Sequence, residues 1–143
     1  RYITDWFARY AGVRQFIDTT VADGRAKGYV TTVPGRRRYL PELGSRDPGV
    51  RQFAERAATN TPIQGSAADL IKLAMLEVHK RLRTSGTGAR MLLQVHDELV
   101  VEVPEPAVAV TIRLVRDAME GVWPLTVPLR VDVQTGSNWA EAH

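Results

Sequence analysis

The sequence contains no cysteine, so disulfide bonds and thiolate metal sites are both excluded. It also lacks an apolar run long enough to cross a membrane, and it does not open with a signal-peptide pattern. Neither internal repeats nor low-complexity segments interrupt its 143 residues. These absences favour a cytoplasmic globular domain, or a large part of one, with no membrane partner.

Charge is divided unevenly along the chain, although the formal net charge is only +3. Residues 1–56 carry 11 Lys or Arg against 6 Asp or Glu, a balance of +5, whereas residues 57–143 carry 8 against 10, a balance of −2. A basic half suits a polyanion such as nucleic acid, and an acidic half suits metal ions. A modest surplus of arginine also keeps a surface soluble, so charge alone leaves both interpretations open.

The most informative stretch is MLLQVHDELVVEV at residues 91–103. Two short apolar runs meet there at the polar break His96-Asp97-Glu98, which predicts a β-hairpin. Such a hairpin would present the neighbouring carboxylates of Asp97 and Glu98 at a tight turn, and hard divalent cations prefer oxygen ligands of this kind. Acidic residues are also common in turns for purely conformational reasons, so spacing alone does not decide between the two interpretations.

A second hairpin is predicted over residues 28–40. Tyr29–Val33 has strand character, Pro34-Gly35 is a turn signal, and Arg36–Leu40 can return as the partner strand. The turn delivers three consecutive arginines, which suit contacts with nucleic-acid phosphates. Charged residues also protect exposed strand edges, so both explanations stay open.

Helical periodicity covers most of the remaining chain. Residues 1–22 are predicted to be helical with a break near Gly12, and because neither Met nor a helix cap precedes them we expect further sequence upstream. Val50–Arg83 is the longest helical stretch, begun after Asp47-Pro48. Pro62 is predicted to kink that helix or to restart it. The cap would then be one of three polar residues, Thr59, Asn60 or Thr61.

One polar row stands out on this long helix. Arg56, Asn60 and Gln64 are spaced at i, i+4 and i+8, so on a continuous helix they share one face. The row lies beside the small residues 65–68, which allow a backbone or a ligand to come close. It could read a nucleic-acid groove, or it could be the wet side of an amphipathic helix.

The last third of the chain is predicted to hold a helix from Val108 to Met119 that ends at Gly121, and then a strand over Leu129–Val133. The order helix, hairpin, long helix, hairpin, helix, strand favours an α+β fold with an antiparallel sheet.

Four blocks of the sequence resemble the C-terminal part of the polymerase domain in bacterial family A DNA polymerases, in the order and spacing typical of that family. They are GYVTTVPGRRRYLP at 28–41, ERAATNTPIQGSAADLIKLAM at 55–75, LLQVHDELVVEV at 92–103, and VPLRVDV with Asn138-Trp139 at 127–139. The resemblance implies a fragment of a right-hand polymerase. Residues 1–54 would be the C-terminal part of the fingers, and residues 55–143 the C-terminal part of the palm around the hairpin at 91–103.

The resemblance also implies roles for single residues. Asp97 is similar to a catalytic aspartate that binds two Mg²⁺ ions, and Glu98 to a supporting catalytic carboxylate. His96 is similar to a residue near the primer terminus. The row on the long helix, Arg56, Asn60 and Gln64, is similar to residues that follow the minor groove of primer–template DNA. The implied activity is template-directed addition of dNTPs to a primer 3′ end, in the nucleoid of a bacterial cytoplasm, for replication or repair.

Two parts of the family pattern are absent from this sequence: an aspartate-led strand like the first palm motif, and the fingers helix that binds the triphosphate. The resemblance therefore implies that a second carboxylate that binds Mg²⁺ lies outside this chain. The upstream part of the polymerase domain, and any exonuclease domains of the protein, would lie outside it as well. We expect the 143 residues alone to be inactive. One alternative function is a non-catalytic nucleic-acid-binding fragment that retains the palm hairpin. Another is a two-metal nuclease, which is disfavoured because a nuclease does not need the polar row that includes Gln64.

Overall fold

The computed structural model describes residues 2–142 and divides the chain into two compact units, Arg1–Ala67 and Ala68–His143. Helices are combined with two separate antiparallel sheets of two strands each, which confirms the predicted α+β class. Within the described residues, no helix is both long enough and apolar enough to span a membrane. The predicted boundary between fingers and palm after residue 54 depends on the anatomy of a whole polymerase and stays a prediction.

Two helices open the first unit. Helix α1 covers Tyr2–Arg9 and helix α2 covers Ala11–Lys27. The predicted break is present but falls at Tyr10, whose φ of −115° and ψ of 56° are not helical, rather than at Gly12. Helix α2 ends at Gly28, which has a φ of +78° and donates its backbone N–H to the carbonyl of Gly24. A left-handed residue of this kind is the usual helix stop, and glycine adopts it without strain.

The first predicted hairpin is confirmed. Strand β1, Tyr29–Thr31, pairs antiparallel with strand β2, Arg37–Tyr39, and the turn between them spans residues 32–36. Gly35 has a φ of +95° in that turn, a conformation that side chains other than that of glycine rarely adopt. The amide of Thr32 donates to the carbonyl of Arg36 at 2.9 Å and closes the loop.

The core of the first unit forms where the hairpin meets the next helix. A 3-10 turn, Pro41–Gly44, leads to helix α3 at Pro48–Asn60. The carboxylate of Asp47 caps α3 by accepting the amides of Gly49 and Val50 at 2.7 and 3.0 Å, as the Asp47-Pro48 signal predicts. The buried apolar residues of this core are Val30, Leu40, Leu43, Ala54, Ala57 and Ala58.

Pro62 does not restart the long helix behind a polar cap, so that alternative is wrong, whereas the predicted kink stays a prediction. Residues Thr61–Gly65 form a π-helical turn, and helix α4 continues from it over Ser66–Ser85. No side chain caps the turn, because the hydroxyl of Thr61 donates to the carbonyl of Ala57 at 2.7 Å instead. A proline cannot supply the N–H of a regular helical turn, and the wider π turn accommodates that loss without ending the helix.

The second unit contains the second predicted hairpin and a long helix packed with it. Strand β3 covers Arg90–Val95 and strand β4 covers Glu98–Glu102. A 3-10 turn, Glu105–Ala107, then leads to helix α5 at Val108–Glu120, which confirms the helix predicted there. The buried core residues come from α4, from α5 and from the loop before β3. They are Val78, Leu82, Ala89, Val115 and Ala118.

The predicted final strand at Leu129–Val133 is wrong. The segment has no ladder of backbone hydrogen bonds in the described chain. Side chains of α5 take both backbone groups of Val131 instead, because Glu120 accepts its amide at 2.9 Å and Arg116 donates to its carbonyl at 3.4 Å. The alternation of apolar residues is therefore present, but helix side chains rather than a neighbouring strand bond the backbone of Val131.

Candidate nucleic-acid and metal site

The hairpin of the second unit turns at His96 and Asp97, as predicted. Val95 and Glu98 are the last paired residues, so only two residues connect the strands. His96 has a φ of +54°, and it is the single non-glycine residue with positive φ among residues 2–142. Two-residue hairpin turns require such left-handed backbone, and histidine is among the side chains that tolerate it. The side-chain amide of Gln94 donates to the carbonyl of His96, which fixes the turn further.

The carboxylate of Asp97 is exposed at the tip of this turn. In the part of the chain that the structure describes, no hydrogen bond or ion pair engages it. Glu98 is also exposed and begins β4 opposite Val95. A charged oxygen donor on a short, fixed turn is therefore presented to solvent at the position that the sequence predicts.

These residues fit a Mg²⁺ site only in part. Asp97 supplies the right donor, since Mg²⁺ takes one or two protein carboxylates and completes its coordination with water and substrate phosphates. Across residues 2–142, however, no three His, Cys, Asp or Glu side chains come together to hold a metal ion. The hairpin is thus suited to contribute one ligand to a site and does not form a complete site by itself.

A β-bulge in β3 is a feature that the sequence did not predict. Met91 pairs with Val101 and Leu93 pairs with Val100, so Leu92 is the extra residue and is 54% exposed. Met91 and Val101 pack on the core of the second unit. A bulge strengthens local twist and re-aims the residues beyond it, here the turn at His96 and Asp97.

The predicted polar row on the long helix is divided between two cavities of the first unit. Asn60 and Gln64 are exposed and line a small cavity of about 90 Å³ around the π turn. Arg56 is exposed as well but lines a different cavity, of about 490 Å³, between α2 and α3. The π turn between positions 60 and 64 changes the helical phase, so an i, i+4, i+8 argument for a regular helix does not hold across it.

The arginine-rich hairpin is attached to this π turn. The amide of Val33 donates to the hydroxyl of Ser66 at 2.8 Å. The guanidinium groups of Arg36 and Arg38 donate to the carbonyl of Gly65 at 3.3 Å and to the hydroxyl of Thr61 at 3.4 Å. Two of the three arginines predicted as phosphate contacts therefore support the turn that carries Gln64.

Gly65 makes this attachment sterically feasible. A Cβ atom at Gly65 would lie 2.8 Å from the Cγ2 atom of Thr32, a distance that requires one of the two segments to move. The sequence predicts that the small residue at position 65 lets a backbone or a ligand come close, and in the structure the hairpin at Thr32 fills that room. The contacts that Arg38 and Ser66 make between the hairpin and the π turn have no signal in the sequence, because only the folded chain brings these two segments together.

Comparison with known proteins places this geometry in a family. The chain matches the polymerase domain of Pol1 from M. smegmatis, solved in complex with DNA primer–template and dNTP, with a TM-score of 0.94 and 49% identity over 98% of this chain and 25% of that one. The fold is therefore that of one part of a polymerase domain. The model of DNA polymerase family A matches residues 1–141, and the chain belongs to that family.

Curated relatives agree over nearly the whole chain. DNA polymerase I of Geobacillus stearothermophilus is 51% identical over 141 residues, which are 99% of this chain and 16% of that protein. The thermostable DNA polymerase I of Thermus aquaticus is 50% identical over 99% of the chain and 17% of its own length. DNA polymerase I of Mycobacterium tuberculosis is 53% identical over 96% of the chain and 15% of its own length. The chain thus spans about a sixth of these relatives.

Proposed function

We propose that this chain is the C-terminal part of the polymerase domain of a DNA-directed DNA polymerase, which adds dNTPs to the 3′ end of a primer paired with a template. One observation carries the proposal: the exposed Asp97 carboxylate stands at a two-residue turn in a chain that matches a primer–template and dNTP complex of Pol1 over 98% of its length. In the same proposal, residues 1–54 belong to the fingers and residues 55–143 to the palm.

In this proposal Asp97 holds Mg²⁺ with one oxygen, and Glu98 supports it as a second carboxylate beside the turn. Bound Mg²⁺ ions would activate the primer 3′ hydroxyl and neutralise the charge that develops on the leaving oxygen. The left-handed His96 would hold the turn and face the terminal primer nucleotide. A further carboxylate, from residues outside this chain, would complete the metal site.

Arg56, Asn60 and Gln64 would contact the primer–template duplex. Amide side chains offer both donors and acceptors, and the minor groove presents nearly the same acceptors for A·T and T·A pairs. Residues of this kind can therefore test the shape of a base pair without selecting its sequence. The exposure of Asn60 and Gln64 around one cavity supports this assignment for those two residues.

A second candidate function is nucleic-acid binding without catalysis. The observation that favours it is the lack of a three-ligand metal cluster among the described residues. The two functions are distinguished by primer extension with the full-length protein that contains this chain. Templated, Mg²⁺-dependent incorporation by the parent protein, lost in an Asp97→Asn variant, supports the polymerase. Tight primer–template binding with no incorporation by the parent supports the binding protein.

The cellular setting follows from the same proposal. A polymerase of this family in a bacterium would work on chromosomal DNA in the cytoplasm, in replication or in repair, and would use the remaining polymerase residues and any exonuclease domain of the same protein.

A further inference from the structure

The outward face of the β1–β2 hairpin carries two neighbouring tyrosine rings and a guanidinium group, with Tyr29 half-buried and with Arg37 and Tyr39 exposed. Tyr29 and Tyr39 are directly paired across the strands, with ring centroids 5.6 Å apart and an interplanar angle of 59°. The guanidinium of Arg37 lies 4.7 Å from the centroid of the Tyr29 ring. We name these three residues, Tyr29, Arg37 and Tyr39, the hairpin platform.

The opposite face of the hairpin is already occupied. Val30 is 6% exposed and belongs to the core of the first unit, and Arg38 donates to Thr61. Because side chains alternate across a strand, the platform faces away from that core. Tyr39 is 67% exposed, so most of its ring is in contact with solvent.

The platform is positively charged and partly pre-ordered. Residues 28–41 contain three arginines and no acidic residue. A side-chain hydrogen bond with Tyr39 raises the pKa of Arg37 above its ordinary value, and an arginine guanidinium is always protonated in proteins even without such a bond. A guanidinium held against tyrosine rings has already lost much of its rotamer freedom, so a ligand that contacts it incurs less of that entropic cost.

Cross-strand tyrosines stabilise hairpins, and edge arginines prevent unwanted strand pairing. Those two functions account for the presence of each residue. They do not account for a guanidinium held over the Tyr29 ring and hydrogen-bonded to Tyr39, whose own ring is left largely exposed. Exposed aromatic rings beside positive charge are the arrangement that binds single-stranded nucleic acid, because every base has a π face that can stack and every linkage carries a phosphate. The partner that complements both the charge and the rings is a single strand.

We infer that the hairpin platform binds single-stranded DNA without sequence preference, with a base stacked on Tyr39 and a neighbouring phosphate beside Arg37. The inference rests on the proposed function for its ligand, DNA, and goes beyond it because none of the platform residues belongs to the candidate metal or minor-groove residues. It predicts that a single-stranded extension of a primer–template adds affinity through this hairpin.

The test measures fluorescence anisotropy of the full-length protein with primer–templates that share one duplex. They differ only in a single-stranded thymidine tail, attached at either end of the template strand. We expect the parent to bind one of the tailed substrates more tightly than the tail-free duplex. Tyr39→Leu should lose about tenfold in affinity for that tailed substrate, and Tyr39→Trp should keep or increase the parental affinity. Arg113→Ala, which removes an exposed arginine from α5, shows whether loss of a positive charge elsewhere on the chain changes the affinity, and it should behave as the parent.

Tyr39→Leu also removes a cross-strand pair, so its thermal unfolding midpoint and its affinity for the tail-free duplex are measured in parallel. Parental or higher affinity in Tyr39→Trp cannot result from unfolding. The inference is overturned if both tails leave parental affinity unchanged, if Tyr39→Leu keeps the full gain from the tail, or if it weakens tailed and tail-free DNA equally. Failure of the proposed function is a separate result, namely no templated primer extension by the parent.

Discussion

The carboxylate of Asp97 follows a left-handed residue in a two-residue turn, and this backbone leaves it exposed at the hairpin tip. Among residues 2–142 no side chain or backbone group bonds this exposed carboxylate, and such a side chain contributes little to folding stability, so its replacement by asparagine should leave the fold intact. In the full-length protein, Asp97→Asn should lower the rate of nucleotide incorporation by about 1,000-fold or more, since a metal-binding carboxylate accounts for several kcal/mol of barrier reduction. Single-turnover primer extension measures this rate.

The control for this change is Asp132→Asn, which removes an exposed carboxylate elsewhere in the second unit. Both variants should bind primer–template DNA with the parental dissociation constant. An Asp97→Asn variant that turns over as fast as the Asp132→Asn control would remove Asp97 from the metal site.

Gln64 offers a second test at the scale of one residue. Its exposed amide at the π turn should contact the duplex when DNA is bound, and loss of one such hydrogen bond costs about 1 kcal/mol, or roughly five- to tenfold. Gln64→Ala should therefore reduce discrimination between matched and mismatched primer termini by that factor, as measured by the ratio of kcat/KM for their extension. Gln134→Ala removes an exposed amide in the second unit and should have no effect. Parental discrimination in Gln64→Ala would contradict the proposed function of this turn.

At the scale of the elements, the hairpin β1–β2 and the π turn form one assembly joined through Ser66, Arg36 and Arg38. Gly65→Ala would place a methyl group 2.8 Å from the Cγ2 atom of Thr32, which is itself buried at 4% exposure. We expect a destabilisation of about 1–3 kcal/mol, typical of an overpacked contact. The thermal unfolding midpoint and hydrogen exchange of residues 61–66 in the full-length protein measure it.

Thr32→Ser tests the cause of that effect, because it removes the Cγ2 atom and keeps the hydroxyl that accepts the amide of Arg36. The double variant should be less destabilised than the sum of the two single variants. Gly12→Ala is the matched control, since a Cβ there meets no atom within 4 Å and should favour the helix slightly. Additive effects of Gly65→Ala and Thr32→Ser would show that the two residues do not constrain each other.

Elements with local signals could be predicted from the sequence, and elements that depend on distant partners could not. The turns at Pro34-Gly35 and at His96-Asp97 were predicted because turn residues separate short runs that suit strands. The π turn was not predicted because a proline in the sequence does not distinguish a helix that kinks at Pro62 from one that restarts there or widens into a π turn. The segment 129–133 alternates like a strand, yet the side chains of Glu120 and Arg116 take the backbone groups of Val131.

The candidate site shows the same limit. The exposed carboxylate at residue 97 and the amide at residue 64 were identified from short motifs. The support that Arg38 and Ser66 give to the π turn, and the bulge at Leu92, were not. These features arise from contacts between segments that are more than 20 residues apart or from an irregular strand register, and neither has a local pattern in the sequence.

At the scale of the whole molecule, the chain holds candidate residues for DNA and for one metal ligand but corresponds to only 15–17% of the relatives compared above. Mg²⁺ catalysis of phosphoryl transfer needs more oxygen ligands than one turn provides, and the described residues contain no three-ligand cluster. We therefore expect the 143-residue chain alone to show no templated incorporation in a gel-based primer-extension assay in which the full-length protein is active. Circular dichroism on the same sample would establish that the chain is folded. Templated synthesis by the isolated chain, abolished by Asp97→Asn, would contradict the prediction and would mean that a complete metal site forms from these residues.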